Sequence, residues 1–210
     1  MDCEVVKKPG NTGTLDETKL LEMHMLQDNG PICAGLKMRD SQVLDRLILE
    51  YQHRLLRYLL CLTGSRDIAE DIFQDIWIRV IERGEQFKGN SRFGTWLFAI
   101  ARNMVFDLRR KYARMTLYRW QELDDECPLE LPSGGKTALD HCSEIEARKL
   151  IADALRTLKP VHREVLLLRY TEDLSLKEIS EVMRLPISTV KSRLYRGLVT
   201  LKPRLNAAAL

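Results

Sequence analysis

Residues 175–201, SLKEISEVMRLPISTVKSRLYRGLVTL, carry the pattern of two amphipathic helices separated by a short break. Ser175 and Glu178 form an S-x-x-E capping box, which predicts the start of a short helix that runs to Met183. Residues 184–187 include a proline and interrupt the apolar periodicity. A short capped helix, a turn and a second amphipathic helix are the pattern of a helix-turn-helix.

The second of these helices has one apolar face and one polar, basic face. Ser188 or Thr189 is its expected N-cap, and its apolar residues follow helical spacing at Val190, Leu194, Leu198 and Leu201. At ~100° per residue, the opposite side carries Ser188, Ser192, Tyr195 and Arg196, flanked by Lys191 and Arg193. From Ile187 onwards there are five basic residues and no acidic side chain. This face fits a DNA major groove, although a solvated basic face on a structural helix is the alternative.

Five further helices are predicted upstream of this pair. Two lie just before it, one over residues 145–158 and one that begins at Pro160, and three lie within residues 41–117. Apolar residues recur at helical spacing from Leu44 to Leu62, and Gly64 ends that run. Asp67 and Glu70 suggest a capping box for a second helix, which ends near Gly84. After a polar loop, a third helix has an apolar stripe of Phe93, Trp96, Leu97, Ile100, Ala101, Met104 and Leu108.

The remaining segments differ in composition from these helices. Residues 1–40 lack sustained periodicity and contain several Gly and Pro residues, which predicts a flexible extension with at most a short helix around Leu15–Leu26. Residues 118–143 are rich in acid, Gly and Pro and are interpreted as a linker. Neither these segments nor the helices show β-strand alternation. The expected fold is all-α, with two small helical domains at 41–117 and 144–210 joined by a flexible acidic linker.

Composition excludes several classes of protein. The chain has 210 residues, 45% of them hydrophobic, and a net charge of only +3. No apolar run approaches the ~18 residues needed to cross a bilayer, and the polar N-terminus does not resemble a secretion signal, so we expect a cytoplasmic protein without membrane insertion. The five cysteines include no C-x-x-C pair, and the four histidines are scattered. We therefore expect no metal site and no cofactor.

Three segments together resemble a known family. They are Ala69–Asp75 (AEDIFQD), Phe93–Asn103 (FGTWLFAIARN) and Ser188–Leu194 (STVKSRL). In this order and spacing they resemble the extracytoplasmic-function (ECF, group 4) sigma factors of the sigma-70 family, over roughly residues 40–205. The resemblance implies that 41–117 is similar to sigma region 2 and 144–210 to sigma region 4. The family often has Gly where this chain has Arg184 and Ser188.

The resemblance also implies roles for individual residues. Core polymerase would be contacted through the β′ clamp helices by Asp71, Gln74 and Asp75, and by the second domain through the β flap. The minus-ten promoter element would be contacted by Lys88, Asn90, Ser91, Arg92, Trp96, Arg102, Asn103, Asp107, Arg109 and Arg110. The minus-thirty-five element would be contacted by Ser188, Thr189, Lys191, Ser192, Arg193, Tyr195 and Arg196. Core packing is the alternative role for Trp96. For Asp71, Gln74 and Asp75, the alternative is a solvated acidic helix face.

The expected function is that of an alternative sigma factor. It would bind core RNA polymerase, recognise the two promoter elements, help to melt the minus-ten region and be controlled by an anti-sigma factor. We expect it to be a monomer when not bound to partners. One rival is a stand-alone helix-turn-helix regulator, which commonly needs a dimerisation helix that this sequence does not offer. Another is an enzyme that acts on nucleic acid, but no nucleophile with its base and no Gly-rich phosphate loop supports one. Asp124, Asp125 and Glu126 could hold a cation, but in a flexible linker they would be poorly preorganised.

Overall fold

The computed structural model describes residues 29–115 and 151–208, and all regular structure within these ranges is helical. The first range contains α1 (Asn29–Met38), α2 (Ser41–Thr63), α3 (Arg66–Arg83), a 3-10 turn (Gly84–Gln86) and α4 (Phe93–Met115). The second contains α5 (151–156), α6 (Pro160–Tyr170), α7 (Leu176–Met183) and α8 (Ile187–Ala208). The all-α prediction is confirmed for these residues. The acidic linker at 118–143 and the short helix suggested around Leu15–Leu26 lie outside them.

Two of the predicted helix boundaries are confirmed by their hydrogen bonds. Gly64 ends α2 in the left-handed conformation, with φ of 69°, and its N–H donates to the carbonyl of Leu60 at 2.9 Å. At the start of α7, the Glu178 carboxylate accepts from the backbone N–H of Ser175 at 2.8 Å, and the Ser175 hydroxyl accepts from the N–H of Glu178 at 3.3 Å. Together these two bonds form the capping box predicted from the sequence.

Two other predicted caps are wrong. Helix α3 begins at Arg66, so Asp67 already lies inside the first turn, and Glu70 pairs with Arg66 at 2.7 Å instead of closing a capping box. Helix α8 begins at Ile187, which places Ser188 and Thr189 within the helix. In both cases the helix extends further towards its N-terminus than a polar side chain alone indicated.

Helix α1 corrects the prediction of a flexible extension at residues 1–40 for Asn29–Met38, and residues 1–28 lie outside the described ranges. Ile32 and Leu36 are 3% and 2% exposed, and they join the main core through one face of α1. The Gly and Pro residues of this segment obscured the pattern. Pro31 falls in the first turn, where the absence of its N–H removes no hydrogen bond from the helix.

The two predicted domains share one buried apolar core. Leu55 and Phe98 from the first domain belong to the same cluster as Leu168 and Ile179 from the second, and α4 packs against α7. A smaller cluster joins α5 to α6 and α8 through Ala154, Leu155, Leu158, Leu166 and Leu201. Among the described helices, none combines the length and the apolar character that crossing a membrane requires.

Candidate nucleic-acid interface

Five of the seven α8 residues that were expected to contact DNA lie on its accessible side. Ser188, Lys191, Ser192, Tyr195 and Arg196 are exposed, whereas Thr189 and Arg193 are half-buried. Val190, at the centre of the opposite face, is fully buried. The structure therefore presents these hydroxyl, phenol and basic groups together, as a major-groove surface requires.

The buried face of α8 differs at one position from the prediction. Leu198 is 38% exposed, and Gly197 packs in its place against Leu166. At ~100° per residue, Leu198 lies about 80° from Val190 around the helix, whereas Gly197 lies only about 20° away. Leu198 was expected on the buried face because it is a large apolar residue, although Gly197 lies nearer the centre of that face.

Helix α6 fixes the base of this surface. The Nδ1 atom of His162 lies 2.9 Å from the carbonyl oxygen of Arg193. An open groove of about 460 Å³ runs between the two helices and is lined by His162, Tyr195, Arg196 and Val199, among others. Tyr195 and Arg196 thus line a groove whose two helices, α6 and α8, are in direct contact.

The loop before α4 is held by aromatic packing. Phe87 is 4% exposed, and its ring lies 5.6 Å from that of Phe93 and 5.4 Å from that of Trp96. Such edge and tilted contacts add to the free energy gained by burying the rings. Because Phe87 anchors the loop, Lys88 and Asn90 are exposed beyond it. Trp96 belongs to this packing cluster and is only partly buried.

Arg92 and Thr95, at the start of α4, contact the second domain through Glu178. The Arg92 Nε and the Glu178 Oε1 are 2.7 Å apart, and the Thr95 hydroxyl donates to the same oxygen at 3.1 Å. Burial raises the pKa of Glu178, but hydrogen bonds from Ser175 and Thr95 and the charge of Arg92 outweigh it, so the pKa is lowered overall. Glu178 is therefore held ionised.

Arg102, further along α4, forms a more deeply buried ion pair with Glu164 of α6. The Arg102 Nε and the Glu164 Oε1 are 2.7 Å apart, and the two side chains are 14% and 4% exposed. The buried phenol of Tyr58 donates to the same carboxylate at 3.0 Å. Burial and the nearby negative charge of Glu164 raise the pKa of Tyr58 well above its usual value, which keeps the phenol protonated as a donor.

A third glutamate, Glu172, joins the domains in the same way. Its side chain is 1% exposed and lies 2.8 Å from Arg54 and 3.9 Å from Arg57, both on α2. The second domain therefore supplies three carboxylates to arginines of the first. Nothing in the local sequence around Glu164, Glu172 or Glu178 identified these partners, because each pair joins residues more than 80 positions apart or, for Arg102 and Glu164, 62 apart.

The other α4 residues expected at minus-ten DNA are spread over its surface. Asn103 is half-buried, and Asp107 pairs with Arg110 on the exposed side. Arg109 is half-buried and donates to the carbonyl of Leu62, near the end of α2. Arg109 therefore joins α4 to α2.

A separate exposed face lies on α3. Asp71, Gln74 and Asp75 are all exposed on it. Ile78 is 53% exposed one turn further along, and Ile81 is 40% exposed. Acidic and apolar groups are thus combined on one face of α3.

Residues 47–115 match the family model for sigma-70 region 2, and residues 148–201 match the model for sigma-70 region 4. The ECF RNA polymerase sigma factor SigL of Mycobacterium tuberculosis (strain ATCC 25618 / H37Rv) is 31% identical over 170 residues, which cover 80% of this chain and 92% of SigL. This chain belongs to the ECF sigma factors of the sigma-70 family. SigW of Bacillus subtilis (strain 168) is 29% identical to this sigma factor over 174 residues, or 81% of this chain and 92% of SigW.

A solved structure agrees with this assignment. The sigma factor RpoE in complex with the anti-sigma factor NepR, from Bartonella quintana, aligns with a TM-score of 0.52 and 25% identity. The alignment covers 76% of this sigma factor and 96% of that chain. Helix α1 precedes the segment that matches region 2, so the sequence resemblance gave no reason to expect its contacts.

Proposed function

We propose that this sigma factor binds core RNA polymerase, directs it to promoters and contacts two DNA elements through separate surfaces. Membership of the ECF family supports this proposal, and the accessible polar face of α8 is the observation that carries it. Promoter selection requires binding energy and no covalent step, so we class the protein as a binding factor and not as an enzyme. Its action on polymerase and promoter DNA assigns it to the cytoplasm.

The proposed division of labour follows the predicted domains. Residues 41–117 bind polymerase and the minus-ten element, residues 144–210 bind the minus-thirty-five element, and 118–143 connect them. In the second domain, Lys191 and Arg193 suit phosphates, while Tyr195 and Arg196 suit base edges, because a guanidinium can pair with guanine through two hydrogen bonds. In the first, the exposed Lys88 and Asn90 suit contacts with single-stranded DNA, and the buried aromatic cluster beneath them supports the loop.

Polymerase binding is assigned to the exposed face of α3. Its carboxylates suit a basic partner, and Ile78 and Ile81 offer apolar area that a partner can bury. Asp75→Arg should therefore weaken binding to core polymerase strongly, whereas Asp45→Arg, an equal charge reversal on the exposed side of α2, should leave it unchanged. Equal effects of the two substitutions on a core-polymerase pull-down would remove α3 from the interface.

In the described arrangement the two domains share one core, and we call this arrangement the closed form. Arg92 and Arg102, which are expected to contact minus-ten DNA, bind Glu178 and Glu164 instead. A carboxylate and a phosphate compete for the same guanidinium donors. We infer that promoter binding requires the two domains to separate, so that these arginines exchange their glutamates for DNA.

Control by an anti-sigma factor follows from the same arrangement. A partner that binds the closed form more tightly than the open form shifts the population towards the closed form. The RpoE neighbour was solved with such a partner, NepR. We propose an anti-sigma factor for this chain that acts by holding the domains closed.

The test is run-off transcription with purified core polymerase, with and without this chain, on a library of upstream fragments from its own genome. We expect selective initiation that depends on the chain, with permanganate-reactive thymines in the minus-ten region. Alignment of the start sites would yield both promoter elements. Absence of transcription together with binding to duplex DNA without polymerase would refute the sigma function in favour of a stand-alone regulator.

A further inference from the structure

The amide of Asn29 bridges two carbonyls of the loop that is assigned to minus-ten DNA. The Asn29 Nδ2 donates to the carbonyl oxygen of Gly89 at 2.9 Å and to that of Ser91 at 3.0 Å. An asparagine amide nitrogen has two protons, so each proton serves one carbonyl. The two acceptors flank Asn90, whose side chain is exposed.

The backbone of this loop requires such support. Gly89 has φ of 72°, a region that L side chains rarely adopt. A Cβ at this glycine would lie 3.1 Å from the Cys33 sulfur and 3.2 Å from the Asn29 Cβ. The loop thus lies directly against α1, and the position leaves little space for a side chain.

Helix α1 is itself firmly placed. Ile32 and Leu36 are almost fully buried in the main core, and α1 packs against the 3-10 turn that precedes the loop. Phe87 anchors the loop from the other side, through its contacts with Phe93 and Trp96. Residues 88–91 are therefore held between an aromatic cluster and the Asn29 amide.

We propose that Asn29 is a positioning residue for minus-ten recognition, acting through the backbone on either side of Asn90. It fixes the Gly89 and Ser91 carbonyls, and thereby the direction in which Asn90 projects towards DNA. This assignment rests on the proposed function. It extends the minus-ten site to a helix outside the segment that matches sigma-70 region 2.

The decisive variant is Asn29→Asp, in full-length protein. Aspartate has nearly the same shape but, when ionised, accepts hydrogen bonds and cannot donate them. A carboxylate at the start of a helix is favourable to the helix dipole, so α1 should remain folded. Ala34→Asp places the same charge at an exposed position of α1 and serves as the matched control.

The first measurement is hydrogen exchange of residues 87–92 in the protein alone, which does not depend on any sigma activity. We expect faster exchange of this loop in Asn29→Asp and unchanged exchange in Ala34→Asp, with similar thermal unfolding of both. Unchanged loop exchange in Asn29→Asp would overturn the bridging role. It would do so whether or not the chain supports transcription.

The second measurement uses the promoters found by run-off transcription, with each base of the minus-ten element substituted in turn. Loss of two hydrogen bonds should reduce discrimination at the minus-ten base that Asn90 contacts by roughly 5- to 20-fold in Asn29→Asp, and Ala34→Asp should leave it unchanged. Uniformly lower activity with the base preference intact would overturn the positioning role. Failure of the wild-type chain to transcribe would instead refute the proposed function, while the exchange result would still judge the Asn29 bridge.

Discussion

The ion pair between Arg102 and Glu164 should contribute far more to stability than an exposed pair of the same length. Both this pair and the pair between Arg66 and Glu70 have a 2.7 Å separation between Nε and Oε1. Their side-chain exposures differ sharply, at 14% and 4% for the first pair and 73% and 45% for the second. The two pairs therefore separate the effect of burial from that of distance.

Glu164→Gln keeps the volume of the side chain and an acceptor for Tyr58, but it removes the charge that balances Arg102. Breaking a buried pair on one side costs about 3–5 kcal/mol. Because the acceptor for Tyr58 is retained, the free energy of unfolding should fall by about 3 kcal/mol. Glu70→Gln removes one partner of an exposed pair, for which about 0.3–0.5 kcal/mol is expected. A double-mutant cycle for each pair then isolates the free energy of the interaction itself.

The assay is urea unfolding, followed by both tryptophan fluorescence and circular dichroism. Two double-mutant cycles are compared, Arg102→Leu with Glu164→Gln and Arg66→Leu with Glu70→Gln. We expect a coupling free energy of about 2 kcal/mol for the buried pair and below about 0.5 kcal/mol for the exposed pair. Equal coupling in the two cycles would refute the claim that Glu164 holds the domains together.

Three further outcomes are expected. Arg184 has φ of 52°, so Arg184→Gly should raise the free energy of unfolding by about 1 kcal/mol, whereas Arg184→Ala, which keeps a Cβ, should not, as thermal unfolding will test. Because the folded-state pKa of Glu178 is lowered, the ionised carboxylate should stabilise the fold fully at pH values above 4.5, its ordinary pKa, and this stabilisation should be lost as the pH falls through the folded-state pKa. The urea midpoints of the wild-type protein and Glu178→Gln should therefore converge in acid, and a difference that persists there would contradict this. Arg196→Ala should weaken promoter binding of the polymerase complex by about 1–3 kcal/mol if it contacts a base edge, and equally across promoters if it contacts a phosphate. Unchanged binding would exclude Arg196 from the site.

The helices and the family could be predicted because their signals are local. Helix α2 has a long apolar periodicity and ends at Gly64, and the capping box at Ser175 lies within four consecutive residues, so each is visible in a short window of sequence. The α8 surface was predictable for the same reason, since one helix carries all of its residues. The conformation of Arg184 is a local signal of the same kind. Its backbone is left-handed at a position where the family often has Gly.

The contacts between distant segments could not be predicted from one sequence. Asn29 bonds to residues 60 and 62 positions away, and nothing near it indicates which carbonyls it serves. Glu164 and Glu172 are acidic residues in or beside apolar runs, a pattern that indicates burial with a partner but not which partner. Helix α1 was missed because its Gly and Pro content outweighed two apolar residues spaced four apart.

Because the two domains share an apolar core, their separation should be accompanied by a change in heat capacity. Opening exposes apolar side chains such as Phe98 and Ile179 to water, and exposed apolar surface raises the heat capacity of the open form. The enthalpy and entropy of opening then both vary with temperature, so the closed form is most populated at an intermediate temperature and loses population on cooling as well as on heating. On the proposal that promoter binding requires the domains to separate, the fraction of sigma factor able to bind DNA should vary with temperature in the same way.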